Sequence, residues 1–392
     1  MSRSLSTELI HHPYQPPAGF EAPQGPVHKA STVVFPDVAA MRSRDWRRRD
    51  AYTYGLHGTP TTFALEERIA TLEGGSFCLL APSGLAAIAL VNMALLAAGD
   101  EVLLPSNVYG PSREMAAHLL ARWGVSHRIY DPMDVDSLAD AVGPKTRLVW
   151  LEAPGSVTME FPDLSALTAV CKARGVASAL DNTWGAGVAL RGFDHGVDVV
   201  VQALTKYPSG GGDVLMGSIV TRDDALHQRV VAARRNTGQG VGANDCETVL
   251  RSLASLALRY VAQDRAGREL AGWLGQRPEV HAVLHPAWPG SPGHAHWQQH
   301  CTAAAGLFSV VLDPRYTPEQ ADAFVDGLRL FRIGYSWAGP QSLVMPYDLQ
   351  ALHGRQRPGH LQGRHLVRFS IGLEGRADLQ ADLEQALATA LA

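Results

Sequence analysis

From residue 77 onward, short apolar runs alternate with longer segments of helical period. The runs are 77–80, 101–104, 127–130, 148–151, 176–180 and 197–201, and helical patterning fills 84–97, 111–123 and 164–174. Strands separated by helices predict an α/β layer with a largely parallel sheet, because each helix carries the chain back to begin the next strand in the same direction. Pro111 suits a first helical turn, and Gly124 and Gly175 suit the left-handed position just past a helix end. Past about residue 253 the alternation fades. A Pro/Gly/His-rich stretch at 285–300 precedes a strand-like run at 307–312, and Thr317-Pro318-Glu319-Gln320 has the form of a capping box opening a helix to about residue 330. A strand at 367–373 and an amphipathic helix at 378–391 complete a smaller α+β domain. Residues 1–57 carry Pro13, Pro16, Pro17, Pro23 and Pro26 with little periodicity and read as an extended arm. The predicted division is therefore an arm at 1–57, an α/β domain at 58–252 and an α+β domain at 253–392.

Composition supports two packed domains, since 392 residues at 46% hydrophobic content exceed what one core usually serves. The net charge of −4 is spread along the chain and gives no global field toward nucleic acid or membrane. Arg42, Arg44, Arg47, Arg48 and Arg49 are interrupted by Asp45 and Asp50, which reads as a solvated face rather than a nucleic-acid contact. The expected partner is a small molecule or another subunit. Cys78, Cys171, Cys246 and Cys301 are widely spaced in or beside apolar runs, as reduced thiols would be. Residues 1–10 contain Glu8 and lack an apolar targeting core, so a cytoplasmic location is expected.

Two residues at the ends of apolar runs point to chemistry. Asp181 ends one run, and Lys206 follows another. An aldehyde cofactor needs a lysine to hold it as a Schiff base and a buried carboxylate to keep its ring nitrogen protonated, so the pair suggests pyridoxal 5'-phosphate. Ser83-Gly84-Leu85 lies between a strand and a long apolar helix, where free N–H groups and the helix dipole favour a phosphate. Gly210-Gly211-Gly212 lacks the Lys-Ser/Thr of a nucleotide loop and reads as close backbone approach. His294, His296 and His300 have metal-ligand spacing.

Ordered matches extend from about residue 25 to 391: Tyr54-Gly55, Gly58-Thr59, Leu72-Glu73-Gly74-Gly75, Ser83-Gly84, Tyr109, Pro154-Gly155-Ser156, Asp181-Asn182-Thr183-Trp184, Thr205-Lys206-Tyr207, Tyr335-Ser336-Trp337, Arg368 and Ile371-Gly372-Leu373-Glu374. On these the chain resembles the Cys/Met-metabolism family of pyridoxal-phosphate enzymes, closest to its cystathionine β-lyase branch. The resemblance implies the aspartate-aminotransferase-like type I fold and β-elimination of cystathionine or a related S-substituted cysteine. The products would be a thiol, pyruvate and ammonia.

It further implies that Gly84, Leu85, Thr205 and Tyr54 serve the cofactor phosphate, Tyr54 being offered by the arm of one subunit to the next in a homotetramer with shared active sites. Tyr109 would stack on the ring and assist proton movement. Arg368 would grip the substrate carboxylate beside Ser336 and Trp337, the tryptophan marking β-lyases against relatives with a smaller aliphatic residue. The 285–300 stretch tracks a loop without a metal role, so no metal is expected. Rival readings are a γ-lyase, γ-synthase or sulfhydrylase, or a binding protein with vestigial chemistry. Ala338, Gln341 and Gly211 stand where the β-lyase pattern usually has glycine, glutamate and histidine, and Leu56 stands where most relatives have an arginine for the phosphate.

Overall fold

The computed structural model describes residues 4–12, 18–19, 22–46, 52–347, 361 and 365–391. Its larger sheet has seven strands: β1 (Phe77–Ala81), β2 (Glu101–Pro105), β3 (Ser126–Tyr130), β4 (Thr146–Glu152), β5 (Ala177–Asp181), β6 (Val199–Gln202) and β7 (Gly217–Thr221). The order is β1-β7-β6-β5-β4-β2-β3, with every pair from β6 to β3 parallel and β7 antiparallel to both neighbours. Six of these strands are the six predicted runs. The seventh, β7, is a short Gly-Ser-Ile-Val-Thr segment that the reading from apolar runs did not find.

The central strands β4, β5 and β6 are largely apolar because both faces are covered, whereas the edge strand β3 (Ser-His-Arg-Ile-Tyr) is mostly exposed. Side chains alternate between two cores. Leu80, Leu103, Val149, Leu151, Leu180 and Val200 enter one, while Leu79, Val102, Leu148, Trp150, Ala179 and Val201 enter the other. Gly124 and Gly175 have the left-handed backbone expected of them, at φ 77° and 64°. The helix beginning at Gly110, with Pro111 in its first turn, passes after Glu114 into a wider π-helical segment, Met115–Leu120. Hydrophobic period alone does not distinguish that segment from an α-helix.

The smaller sheet contains β8 (Val280–Leu284), β9 (Leu307–Leu312), β10 (Arg332–Ile333), β11 (Leu343–Tyr347) and β12 (Leu366–Ser370), in the order β10-β11-β12-β9-β8. The capping box forms: Gln320 N–H donates to Thr317 Oγ1 at 3.3 Å, and Thr317 N–H donates to Gln320 Oε1 at 3.0 Å. Its helix stops at Asp326, short of residue 330, because the N–H groups of Arg329 and Leu330 turn away to the Asp382 carboxylate, at 2.9 and 2.7 Å. Helix Leu256–Leu274 joins the two cores, with Leu256 and Tyr260 in the larger and Leu270, Ala271 and Leu274 in the smaller.

The arm is less extended than its prolines suggest. Leu5–Ile10 is a helix capped by Ser4, and Leu9, 2% exposed, is buried in the main core. The later arm is open, and Val34 is 87% exposed. Arg47, Arg48 and Arg49 lie outside the described residues, while Arg42 ends a short exposed helix, Val38–Arg42. All four cysteines are free thiols. Among the described residues, no helix is long and apolar enough to cross a membrane.

Candidate active site

In a parallel sheet the strand ends that carry the helix-bound loops gather at one edge, where ligands bind. Here β4 ends in Glu152 and β5 in Asp181, which are paired in register, with Val201 of β6 beside Asp181. Asp181 Oδ1 accepts from Thr183 N–H at 3.0 Å and Thr183 Oγ1 at 2.5 Å. Thr183 Oγ1 in turn accepts from Ala203 N–H at 2.9 Å, fixing the turn that leads from β6 to Lys206. Among the described residues no donor is recorded on Asp181 Oδ2. Burial raises the Asp181 pKa, opposed by the Thr183 hydrogen bonds and the Lys206 charge.

Within electrostatic reach of this carboxylate is Glu73, fully buried at the end of helix Pro60–Glu73. It accepts from Asn182 Nδ2 at 2.8 Å and from Gln202 Nε2, so one carboxyl ties the helix to the ends of β5 and β6. Burial pushes its pKa up to about 8.

Lys206 faces the small domain. Its Nζ donates to Ser336 Oγ at 2.8 Å and lies 5.4 Å from the Trp337 ring centre. Burial, then the Arg368 charge, bring its pKa down to about 8, with Asp181 opposing. Arg368 is in β12, 9% exposed, with its guanidinium 5.2 Å from the Tyr347 ring centre and Nη2 3.5 Å from Ser336 O. Trp337 stands edge-on to Tyr207 at 5.6 Å.

Tyr109 opens the helix after β2, and its N–H donates to Glu152 Oε2 at 2.7 Å, while Ser156 Oγ donates to Glu152 Oε1 at 2.7 Å. Its phenol is held above its ordinary pKa by burial, then by the charges of Asp181 and Glu152. Sequence reading passed over Glu152. Its signal was a carboxylate closing an apolar strand, and burial, then Asp181, push it up to about 8.

A pyridine N–H would give Asp181 Oδ2 a donor, and a lysine with a lowered pKa suits an aldehyde. The start of helix Gly84–Leu95 suits a phosphate. Ser83 Oγ accepts from Ala86 N–H at 3.0 Å, and among the described residues no acceptor is recorded for the N–H groups of Gly84 and Leu85. A Cβ on Gly84 would lie 2.7 Å from Ala203 Cβ, so glycine lets the helix start sit against the turn to Lys206. The residues fit pyridoxal phosphate.

The sequence profile of the Cys/Met metabolism PLP-dependent enzymes matches residues 6–388. The chain belongs to this family. Its cofactor is pyridoxal phosphate. A cystathionine beta-lyase of Bordetella avium is 40% identical over 98% of each chain. An L-alanine/L-glutamate racemase of Wolbachia pipientis is 33% identical over 93% of this chain and 92% of its own. The crystal structure of cystathionine gamma-lyase from Lactobacillus plantarum, complexed with L-serine, superposes with a TM-score of 0.89 at 27% identity, over 99% of this chain and all of that one.

In this chain the Thr205 hydroxyl is engaged with the backbone, and Tyr54, expected at a neighbouring subunit's site, stays clear of its own. Thr205 Oγ1 donates to Met216 O at 3.2 Å and accepts from Met216 N–H at 3.0 Å, so its proton is engaged in anchoring the segment before β7 rather than free for a phosphate. Tyr54 is 46% exposed on the arm, bridged to Thr32, and has no recorded contact with Lys206, Asp181 or Arg368 in its own chain. Leu56 lies against the 238–242 loop, its Cδ1 2.9 Å from where a Cβ on Gly240 would stand. Ala338 has φ 66°, the left-handed conformation that favours the glycine expected there.

Proposed function

We propose that the enzyme is a carbon–sulfur β-lyase acting on cystathionine or a related S-substituted cysteine. The observation that supports this over a γ-lyase, γ-synthase or sulfhydrylase is the Trp337 ring beside Lys206 Nζ, at 5.4 Å, where the resemblance gives those relatives a smaller aliphatic residue. Bound pyridoxal phosphate supplies the electron sink for the charge left on Cα. Arg368 binds the substrate carboxylate through its planar fork, which leaves Cα facing Lys206. Lys206, neutral above about pH 8 through burial and the Arg368 charge, accepts the Cα proton. Ser336 holds Nζ at 2.8 Å and orients it. Tyr109, kept protonated, passes protons beside the substrate amino group. The Cβ–S bond breaks with its electron pair on sulfur, and one water completes the balance: cystathionine and water give homocysteine, pyruvate and ammonia.

The test is the product ratio from L-cystathionine. Pyruvate with homocysteine is expected, and Trp337→Leu should lower turnover or bring in α-ketobutyrate. Release of α-ketobutyrate by the wild type, or an unchanged rate and ratio in the variant, would remove the reading.

The open arm, with Val34 87% and Tyr54 46% exposed, supports a homotetramer in which Tyr54 completes a neighbour's phosphate site. Mixing inactive Tyr54→Ala and Lys206→Ala chains under subunit exchange should restore part of the activity. A mixture as inactive as its parents contradicts shared sites. A cytoplasmic location fits the free thiols.

A further inference from the structure

Far from Lys206 in sequence, three side chains converge that the β-lyase reaction does not use. His296 and His300 are one turn apart on the helix His294–His300, with parallel rings 6.5 Å apart. Asp163, the residue before helix Leu164–Arg174, faces both, its Oδ2 3.8 Å from His296 Nδ1 and its Oδ1 3.6 Å from His300 Nε2. The three ligand atoms all lie within 4.8 Å of one another. The histidine spacing was visible in the sequence. The carboxylate was not, because it comes from another element of the chain.

The contacts are too long for hydrogen bonds. The His300 side chain is only 4% exposed, and its Nε2 is buried with no hydrogen-bond partner while it points at Asp163. Its 3.6 Å approach to Asp163 Oδ1 is an ion-pair distance rather than a full hydrogen bond, so this buried nitrogen has room for a closer partner. The neighbouring histidines have other engagements. His294 Nδ1 is 2.8 Å from Pro286 O and its ring stacks on Trp297, and His195 Nδ1 is 3.2 Å from Ser165 Oγ.

We propose that Asp163, His296 and His300 form a binding site for a zinc-type divalent transition metal, with water in the remaining position. Two imidazoles and one carboxylate select zinc and its late first-row neighbours over magnesium and calcium, which favour all-oxygen sites. Zinc bonds of about 2.0–2.2 Å place ligand atoms about 3.3 Å apart in a tetrahedron, so a small contraction closes the site. Asp163 and His296 are 33% and 37% exposed at their side chains, which leaves an entry for the ion. The metal would clamp the helix at His294–His300 onto the segment running from Glu152 and Ser156 to Asp163. It would act as a structural tie rather than in the chemistry.

The experiment titrates Zn²⁺ by calorimetry into chelator-treated, PLP-loaded enzyme. One zinc per chain is expected. His296→Ala, chosen because its side chain is the most exposed of the three, and Asp163→Asn, which retains an acceptor to cap the helix, should each bind at least tenfold more weakly. His294→Ala should bind like the wild type. Zinc should raise the melting temperature of the wild type and not of His296→Ala. No zinc uptake by the wild type, equal uptake by His296→Ala and the wild type, or loss of uptake in His294→Ala alone would each overturn the assignment.

Discussion

The two halves of the active site are held with very different firmness. On the large-sheet side, Asp181 is gripped twice by Thr183, Glu73 joins Asn182 and Gln202, and Thr205 is bonded twice to Met216, all within the larger core's strand ends. On the small-sheet side the frame is bonded too, Ser342 to Glu374 and Ser336 to Lys206 Nζ, but among the described residues the Arg368 guanidinium itself has only a 3.5 Å contact to Ser336 O and the Tyr347 ring, and Tyr335 is 83% exposed. In the proposed reaction the first half holds the cofactor in one geometry, and a carboxylate that meets its ring nitrogen is effective only if it does not have to reorganise. In the proposed reaction the second half meets the substrate, and a guanidinium with few fixed partners there would let one scaffold take different amino acids.

Asp181→Asn attacks the firm half while sparing its hydrogen bonds, because an amide oxygen still accepts from Thr183. Only the charge goes. The kcat should fall at least about a hundredfold with folding intact, as loss of preorganised charge stabilisation commonly costs that much. A variant with near wild-type kcat would show that the gripped carboxylate is structural. Arg368→Lys attacks the loose half and keeps charge while losing the two-pronged fork. KM should rise about ten- to a hundredfold with kcat changed much less, the pattern of lost uniform binding. A collapse of kcat at unchanged KM would place Arg368 in the firm half instead.

The same contrast explains what the sequence disclosed. The six predicted strands and the Asp181–Lys206 pair were legible because a two-faced parallel sheet imposes apolar runs and puts its chemistry at their ends. The strand β7, only five residues beginning Gly217-Ser218, carries too little apolar length to announce itself. Glu73 and Glu152 were readable as residues but not as buried acids, since burial of a carboxyl depends on partners such as Asn182 and Ser156 that only folding brings near. Thr205 was expected to face a phosphate, and its engagement with Met216 depends on where the chain returns eleven residues later. The Asp163 contribution to the histidine cluster was hidden for the same reason.

The smallest expected effect tests whether the halves are coupled. Lys206 comes from the large-sheet side, yet its Nζ is bonded to Ser336 across the site and the second cause of its lowered pKa is the charge of Arg368. Only the neutral amine attacks an aldehyde, so capture of pyridoxal phosphate by cofactor-free enzyme should rise with pH and level off above the lysine pKa. With that pKa near 8 rather than the ordinary 10.5, the rate should grow about fivefold from pH 7 to 8 and only about twofold beyond it. A rate still climbing tenfold per pH unit at pH 9 would mean that burial does not depress the lysine. Arg368→Gln removes the cation without removing bulk, so the midpoint should move upward while the plateau remains. A midpoint that stays near 8 in that variant would leave desolvation alone responsible and make the two halves electrostatically independent. An upward shift would mean that Arg368, the proposed carboxylate-binding residue, also lowers the pKa of Lys206.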